Sequence, residues 1–80
     1  MILEIKIPVI DKGVEEYHVV FWYKENGDLI KKDEDLVEIE TDMDAYTIPA
    51  EEEGILEIVA VEGSIVKAND VLYNLRVEDK

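Results

Sequence analysis

The chain contains no cysteine. Disulfides, a thiolate nucleophile and cysteine-held zinc or iron–sulfur centres are therefore excluded. Nothing in it calls for an oxidising compartment, and the cytoplasm is the expected location. Basic residues are scarce, with 8 Lys and Arg against 21 Asp and Glu in 80 residues and a net charge of −13. Such a surface repels phosphate backbones and anionic lipid, so neither nucleic acid nor membrane is an expected partner. Long apolar runs are missing as well, and none approaches the roughly 20 residues needed to span a bilayer. The opening Met1-Ile2-Leu3-Glu4-Ile5-Lys6 alternates apolar and charged residues. A signal peptide would show a basic start and then an unbroken apolar segment. Finally, no window keeps an i, i+3, i+4, i+7 apolar stripe long enough for a helix.

What the chain does have is alternation. It is 48% hydrophobic, and the apolar residues recur at every second position, which separates it from an acidic disordered segment. Residues 2–7 read as a first strand, stopped by Pro8. Residues 17–24 are rich in β-branched and aromatic side chains and read as a second. Glu25-Asn26-Gly27-Asp28 reads as a hairpin-type turn, its Asn-Gly pair suited to positive φ. Leu29-Ile30 makes only a short strand. Residues 35–41 and 44–49 form strand, tight turn, strand, broken at Thr41-Asp42-Met43-Asp44. Residues 54–61, a turn at Glu62-Gly63, Ile65-Val66 and residues 71–77 complete the pattern. The expectation is one all-β domain of about eight short strands over residues 1–80.

The chain also lies approximately over itself when shifted by 36 residues. Trp22 to Gly27 then falls on Ile58 to Gly63, Leu29-Ile30-Lys31 on Ile65-Val66-Lys67, Leu36 on Leu72, and Ile39 on Leu75. Val19-Val20 falls on Ile55-Leu56. Turn glycines and apolar positions coincide while most surface positions do not, as two copies of one strand–turn–strand plan would leave them. One copy cannot bury its apolar face alone, whereas two facing each other form a sandwich or flattened barrel. Val19, Trp22, Ile39, Ile55, Ile58, Leu72 and Leu75 are the expected core.

In order and spacing, these segments resemble the lipoyl/biotinyl domain family across about residues 2–78. "FWYKENGDLIKKDEDLVEIETD" is similar to its first half, and "YTIPAEEEGILEIVAVEGSIVKANDVL" to its second. The resemblance implies an all-β fold, a flattened β-barrel or sandwich of two four-stranded antiparallel sheets with an approximate internal twofold repeat. It also implies a hairpin presenting a lysine that a ligase acylates with lipoate or biotin. The lipoyl form of that motif is Glu-Thr-Asp-Lys-Ala, with a Val/Ile-Pro pair following. Glu40, Thr41 and Asp42 match it, as do Ile48 and Pro49 at unchanged spacing. Met43 then stands in the place of the lysine and Asp44 in that of the alanine. Reading the hairpin in the biotinyl form, Met-Lys-Met, puts Asp44 at the carrier position and spoils the spacing to Ile48-Pro49. Neither register offers a lysine.

Acylation by lipoate or biotin forms an amide and needs an ε-amine, which a thioether does not supply. The lysines nearest in sequence, Lys31 and Lys32, belong to the turn region of another strand pair. No attached lipoate or biotin, no cofactor and no swinging arm are therefore expected. A working carrier with its lysine replaced is the alternative, against which the second departure, Asp44 for alanine, speaks. Thr41, Asp42, Met43 and Asp44 remain as the candidate contact site. Asp42 and Asp44 are expected to cap the turn. Met43 is either a remnant that drifted after loss of the lysine or an adaptable thioether contact.

Other chemistry is thin. Trp22 and Tyr23 as a stacking platform compete with plain packing, which aromatic strand residues usually serve. His18 is the only histidine and has no cysteine to help it hold a metal. Ser64 sits in the second turn, with no acid–base partner predicted close by. The carboxylates at Asp33-Glu34-Asp35, at Glu38, Glu40, Asp42 and Asp44, and at Glu51-Glu52-Glu53 invite a hard cation. Yet Glu38, Glu40 and Asp42 sit at period two, where carboxylates splay along a strand, and no calcium-loop spacing appears, so no metal is expected. Such charges also discourage edge-to-edge aggregation.

Three readings follow: a non-catalytic interaction module that kept the fold and lost its attachment site, a lysine-replaced carrier, or a structural domain that self-associates. Partners in the first would be proteins such as 2-oxo acid dehydrogenase-type components. An enzyme is not expected, since no acid–base pair, nucleophile or phosphate loop is present. The tail "VEDK" carries no Ala/Pro-rich linker, which suits a whole protein and an excised piece equally.

Overall fold

A computed structural model describes residues 1–8 and 13–78. Among these are eight strands: β1 (Ile2–Lys6), β2 (Glu16–Trp22), β3 (Leu29–Ile30), β4 (Asp35–Glu40), β5 (Ala45–Pro49), β6 (Gly54–Ile58), β7 (Ile65–Lys67) and β8 (Val71–Arg76). They form two four-stranded antiparallel sheets, ordered β1-β8-β6-β3 and β5-β4-β2-β7. Advancing every strand by four turns one order into the other, which is the internal twofold repeat in topological form. The halves do not each build one sheet. β1 and β3 pair with strands of the second half, and β2 and β4 share a sheet with β5 and β7, so the copies interleave.

The repeat extends to backbone detail. Asp28 N–H donates to the Glu25 carbonyl at 3.0 Å, and 36 residues later Ser64 donates to Val61 at 3.1 Å. Positive φ occurs at Gly27 (90°) and Gly63 (86°), and again at Asp33 (73°) and Asn69 (75°). The Glu25–Asp28 turn is not a hairpin, however, because β2 pairs with β4 and β7 whereas β3 pairs with β6. It carries the chain from one sheet to the other. Only Gly27 of the Asn-Gly pair needs positive φ; Asn26 instead accepts a hydrogen bond from Ile58 N–H through its side chain at 2.6 Å.

Between the sheets lie Val19, Ile39, Leu72 and Leu75, as expected, joined by Tyr17, Ile30, Leu36, Val37, Leu56 and Tyr73, all buried. Leu36-Val37 and Leu72-Tyr73 break strict alternation, each pair burying two successive residues. A bulge explains both. Asp35 pairs with Pro49 and Val37 with Ile48, leaving Leu36 unmatched, while Ile5 pairs with Tyr73 and Lys6 with Val71, leaving Leu72 unmatched. The extra residue turns both side chains inward.

A third irregularity, between Val19 and Phe21 of β2, has no counterpart in β6. Val19 pairs with Ile39 and Leu56 with Leu75. The true counterpart of Val19 is therefore Leu56, and the shift of 36 slips by one residue ahead of Val20. Ile55 is consequently only half-buried. Trp22 and Ile58 are likewise half-buried at the core margin. The Trp22 indole N–H donates to the Ala60 carbonyl at 2.9 Å, and its ring meets Tyr73 edge-on with centroids 5.9 Å apart.

Gly54 opens β6 where two backbones approach closely. A Cβ there would lie 2.8 Å from the Arg76 carbonyl oxygen, which is fixed in β8. Gly54→Ala is expected to destabilise the domain by about 1–3 kcal/mol, the usual range for overpacking, as read by urea unfolding.

Candidate functional site

The hairpin joining β4 to β5 ends on its last pair, Glu40 opposite Ala45. Beyond that pair, Thr41 organises the tip. Its N–H donates to the Asp44 carbonyl at 2.8 Å. Its hydroxyl oxygen accepts from the N–H groups of Met43 and Asp44, both at 3.2 Å. The capping role expected of Asp42 and Asp44 thus falls to Thr41, whose side chain mimics a backbone acceptor in the turn. A threonine at the end of a strand, two residues before the tip, was the available signal. With the turn satisfied from within, Asp42, Met43 and Asp44 project outward, and Met43 is 79% exposed.

Along β2, His18 lies beside this tip, paired with Glu40 on one side and Ile65 on the other, and exposed. A groove of about 420 Å³ runs between the tip and the segment entering β2, lined by Thr41, Asp42, Met43, His18 and residues 13–16. Among the described residues that line it, Glu15, Glu16 and Asp42 carry negative charge and none is a lysine or arginine. An anionic, open surface with one protruding thioether can make contacts. Among the described residues lining it, none carries an alkyl amine.

Lys31 and Lys32 lie between β3 and β4, at the other end of β4 from the tip. At about 3.3 Å per residue, the strand keeps them about 17 Å away. There the Glu34 carboxylate accepts from the Lys31 N–H at 2.6 Å and pairs with the Lys24 ammonium at 3.2 Å. The Lys31 N–H, and after it Lys24, hold the Glu34 carboxyl below its ordinary value of 4.5.

The remaining candidates resolve into ordinary structure. Tyr23 is partly exposed, with its hydroxyl donating to Glu38 at 3.4 Å and its ring 4.5 Å from that of Phe21. The Ser64 hydroxyl donates to the Val61 carbonyl at 2.6 Å, closing its own turn. Among the described residues, no three His, Asp or Glu side chains gather as a metal site.

Residues 3–75 match the biotin/lipoyl family model, described as biotin-requiring enzyme. The chain belongs to the biotin/lipoyl family. It is similar to the dihydrolipoyllysine-residue succinyltransferase component of the 2-oxoglutarate dehydrogenase complex of Buchnera aphidicola, 42% identical over 79 residues, which are 98% of this chain and 20% of that protein. The same component of Haemophilus influenzae is 40% identical over 73 residues, covering 90% of this chain and 18% of that protein. The dihydrolipoyllysine-residue acetyltransferase component of the pyruvate dehydrogenase complex of Staphylococcus aureus is 32% identical over 80 residues, covering 99% of this chain and 19% of that protein. The chain thus spans about a fifth of the length of the curated relatives it matches. Among solved structures, the lipoyl domain of the 2-oxoglutarate dehydrogenase complex of Azotobacter vinelandii superposes with a TM-score of 0.78 at 33% identity, covering 96% of this chain and 99% of that one. The biotin/lipoyl-family chain is accordingly a single lipoyl-type barrel, related to the carrier domains of 2-oxo acid dehydrogenase complexes.

Two measurements test the local chemistry. Thr41→Val should cost about 1 kcal/mol, the usual net worth of a hydrogen bond, and speed amide exchange of Met43 and Asp44 while leaving the sheets protected. In an NMR titration of the carboxylates, Glu34 should protonate below 4.5. Because its folded value is depressed, its stabilising share is complete above the unfolded value and is lost as pH falls through the folded one. Glu34→Gln should therefore flatten that part of the acid limb.

Proposed function

We propose that this domain has kept the lipoyl-type barrel and lost the acylation site, and acts as a non-catalytic interaction module. The observation that carries this reading is Met43, 79% exposed at the hairpin tip. It is flanked by Glu40-Thr41-Asp42 and, at the family's spacing, by Ile48-Pro49, so it occupies the position equivalent to the carrier lysine. Lipoate and biotin attach through an amide to a lysine Nζ, and Met43 offers a thioether. The tip therefore does not fit either group, and the domain carries neither. Its partners are proteins, components of 2-oxo acid dehydrogenase-type assemblies such as those its relatives are named for. They meet it at the acidic hairpin end, where Asp42, Asp44 and the adaptable Met43 side chain project together. That a second family position, Asp44, has also departed supports a lineage without the arm over a single lysine replacement in a working carrier.

Intact mass after co-expression with a lipoate ligase, and separately with a biotin ligase, tests the reading. The unaltered chain should emerge with its sequence mass. Met43→Lys combined with Asp44→Ala should gain one lipoyl group. A lipoyl or biotinyl addition on the unaltered chain would overturn the non-carrier reading, and a double variant that stays bare would overturn the assignment of Met43 to the carrier position.

A further inference from the structure

The internal repeat supplies its own control, and at one place the two halves part company. In the first half Lys24 and Glu34 form the 3.2 Å ion pair that spans one side of the barrel. Shifted by 36 residues, the same positions hold Ala60 and Asp70, which are too short to bridge. The backbone around them is the same: Tyr23 N–H donates to Leu36 and Val59 to Leu72, and Glu34 N–H donates to Lys31 and Asp70 to Lys67. The surrounding side chains are not. Tyr23, Glu25 and Asp35 in the first half become Val59, Val61 and Val71 in the second.

The result is a groove of about 350 Å³ walled by Val59, Val61, Val66 and Val71, with Asp70 the only charged group among the described residues lining it. On the other side of Val61 a second groove of about 390 Å³ is lined by Trp22 and Ile58, with Glu25, Glu62 and Lys24 also contributing. Val61 stands between them, 61% exposed, and Val59 is 46% exposed. Single exposed valines need no explanation. Two of them side by side between two grooves, with the half-buried Val71 near, on a chain of net charge −13 and at positions held by Tyr23, Glu25 and Asp35 in the matching half, mark an interaction surface.

We propose that this surface docks a cationic aliphatic segment of another protein, with two apolar side chains straddling Val61 and Lys or Arg residues between them. Charge selects this occupant. Asp70, Glu25 and Glu62 face the grooves, while Lys24, the one base among the described lining residues, is committed to Glu34. A second copy of the chain is disfavoured, since it would bring another −13 charges to the contact. The proposal does not depend on the hairpin reading: Trp22 lies at the opposite end of β2 from the segment that neighbours the tip.

Trp22 is the only tryptophan and therefore a built-in reporter. The probe is an end-blocked synthetic peptide, Lys-Leu-Lys-Val-Lys-Leu-Lys, with Lys-Ser-Lys-Ser-Lys-Ser-Lys as the control of equal charge. The first peptide should shift Trp22 emission saturably and move the amide signals of residues 59–71. Val61→Gln is close in shape to the glutamate of the matching first-half position and adds no charge, so the fold should hold, and it should weaken binding by about tenfold or more, as expected for a central apolar anchor. If that variant fails to fold, Val59→Thr replaces it with the same expected direction. Equal binding of the serine peptide, signal changes centred on Asp42 and Asp44, or unchanged affinity in the folded variant would each overturn the proposal. So would concentration-dependent shifts in the protein alone that the peptide does not alter, since they would assign the surface to self-association.

Discussion

Everything in this molecule depends on two apolar sheet faces buried against each other. A chain of 80 residues hides about 60 to 65% of the surface its unfolded form exposes, and without cysteine no disulfide assists this one. The core is consequently drawn from both halves at once, with Val19, Leu36 and Ile39 meeting Leu56, Leu72 and Leu75. Interleaving strengthens that dependence. Because β1 and β3 pair with β8 and β6, neither half finishes a sheet without the other. The bulges at Leu36 and Leu72 serve the same end, since each turns one more side chain into a thin core.

Most of the architecture was legible because period-two alternation is a local signal and burial on one sheet face is its direct cause. Strand positions, the hairpin at residues 41–44 and the repeat could all be read this way. What could not be read was anything decided by a partner strand. The Glu25–Asp28 turn looks like a hairpin locally, and only the pairing of β3 with β6 shows that it crosses between sheets. The bulge at Val20 is likewise invisible in a run of β-branched and aromatic residues that would suit either register, so Ile55 reads as core while Leu56 is the buried residue. At the tip, two aspartates drew attention as caps, although the hydroxyl beside them, on Thr41, was the group within reach of both N–H donors.

The hairpin also shows how the shape of a tip is set apart from the side chain it presents. Strand pairing up to Glu40 and Ala45, together with the Thr41 hydroxyl, fixes the shape of the tip. Met43 contributes its backbone N–H to that arrangement and leaves its side chain in solvent. A position so placed is free of packing constraint, so the fold does not dictate which side chain stands there. The side of the barrel behaves differently. There the two halves share a backbone plan but differ in side chains, so a surface that is charged and self-paired in one half is apolar and open in the other.

The unmatched bulge at Val20 has a consequence for how this chain assembles. Duplicated halves invite error, since β2 resembles β6 and could in principle seek the wrong partner. β4 and β8 carry their bulges at corresponding residues, so they alone do not tell the halves apart. The additional residue in β2 does. A strand paired out of register by one turns its inward side chains to water, and a β2 seated in the place of β6 would meet that fate along one side of the bulge or the other. Val20 is thus the residue by which the register of β2 departs from that of β6, in a fold whose two sheets otherwise follow one plan.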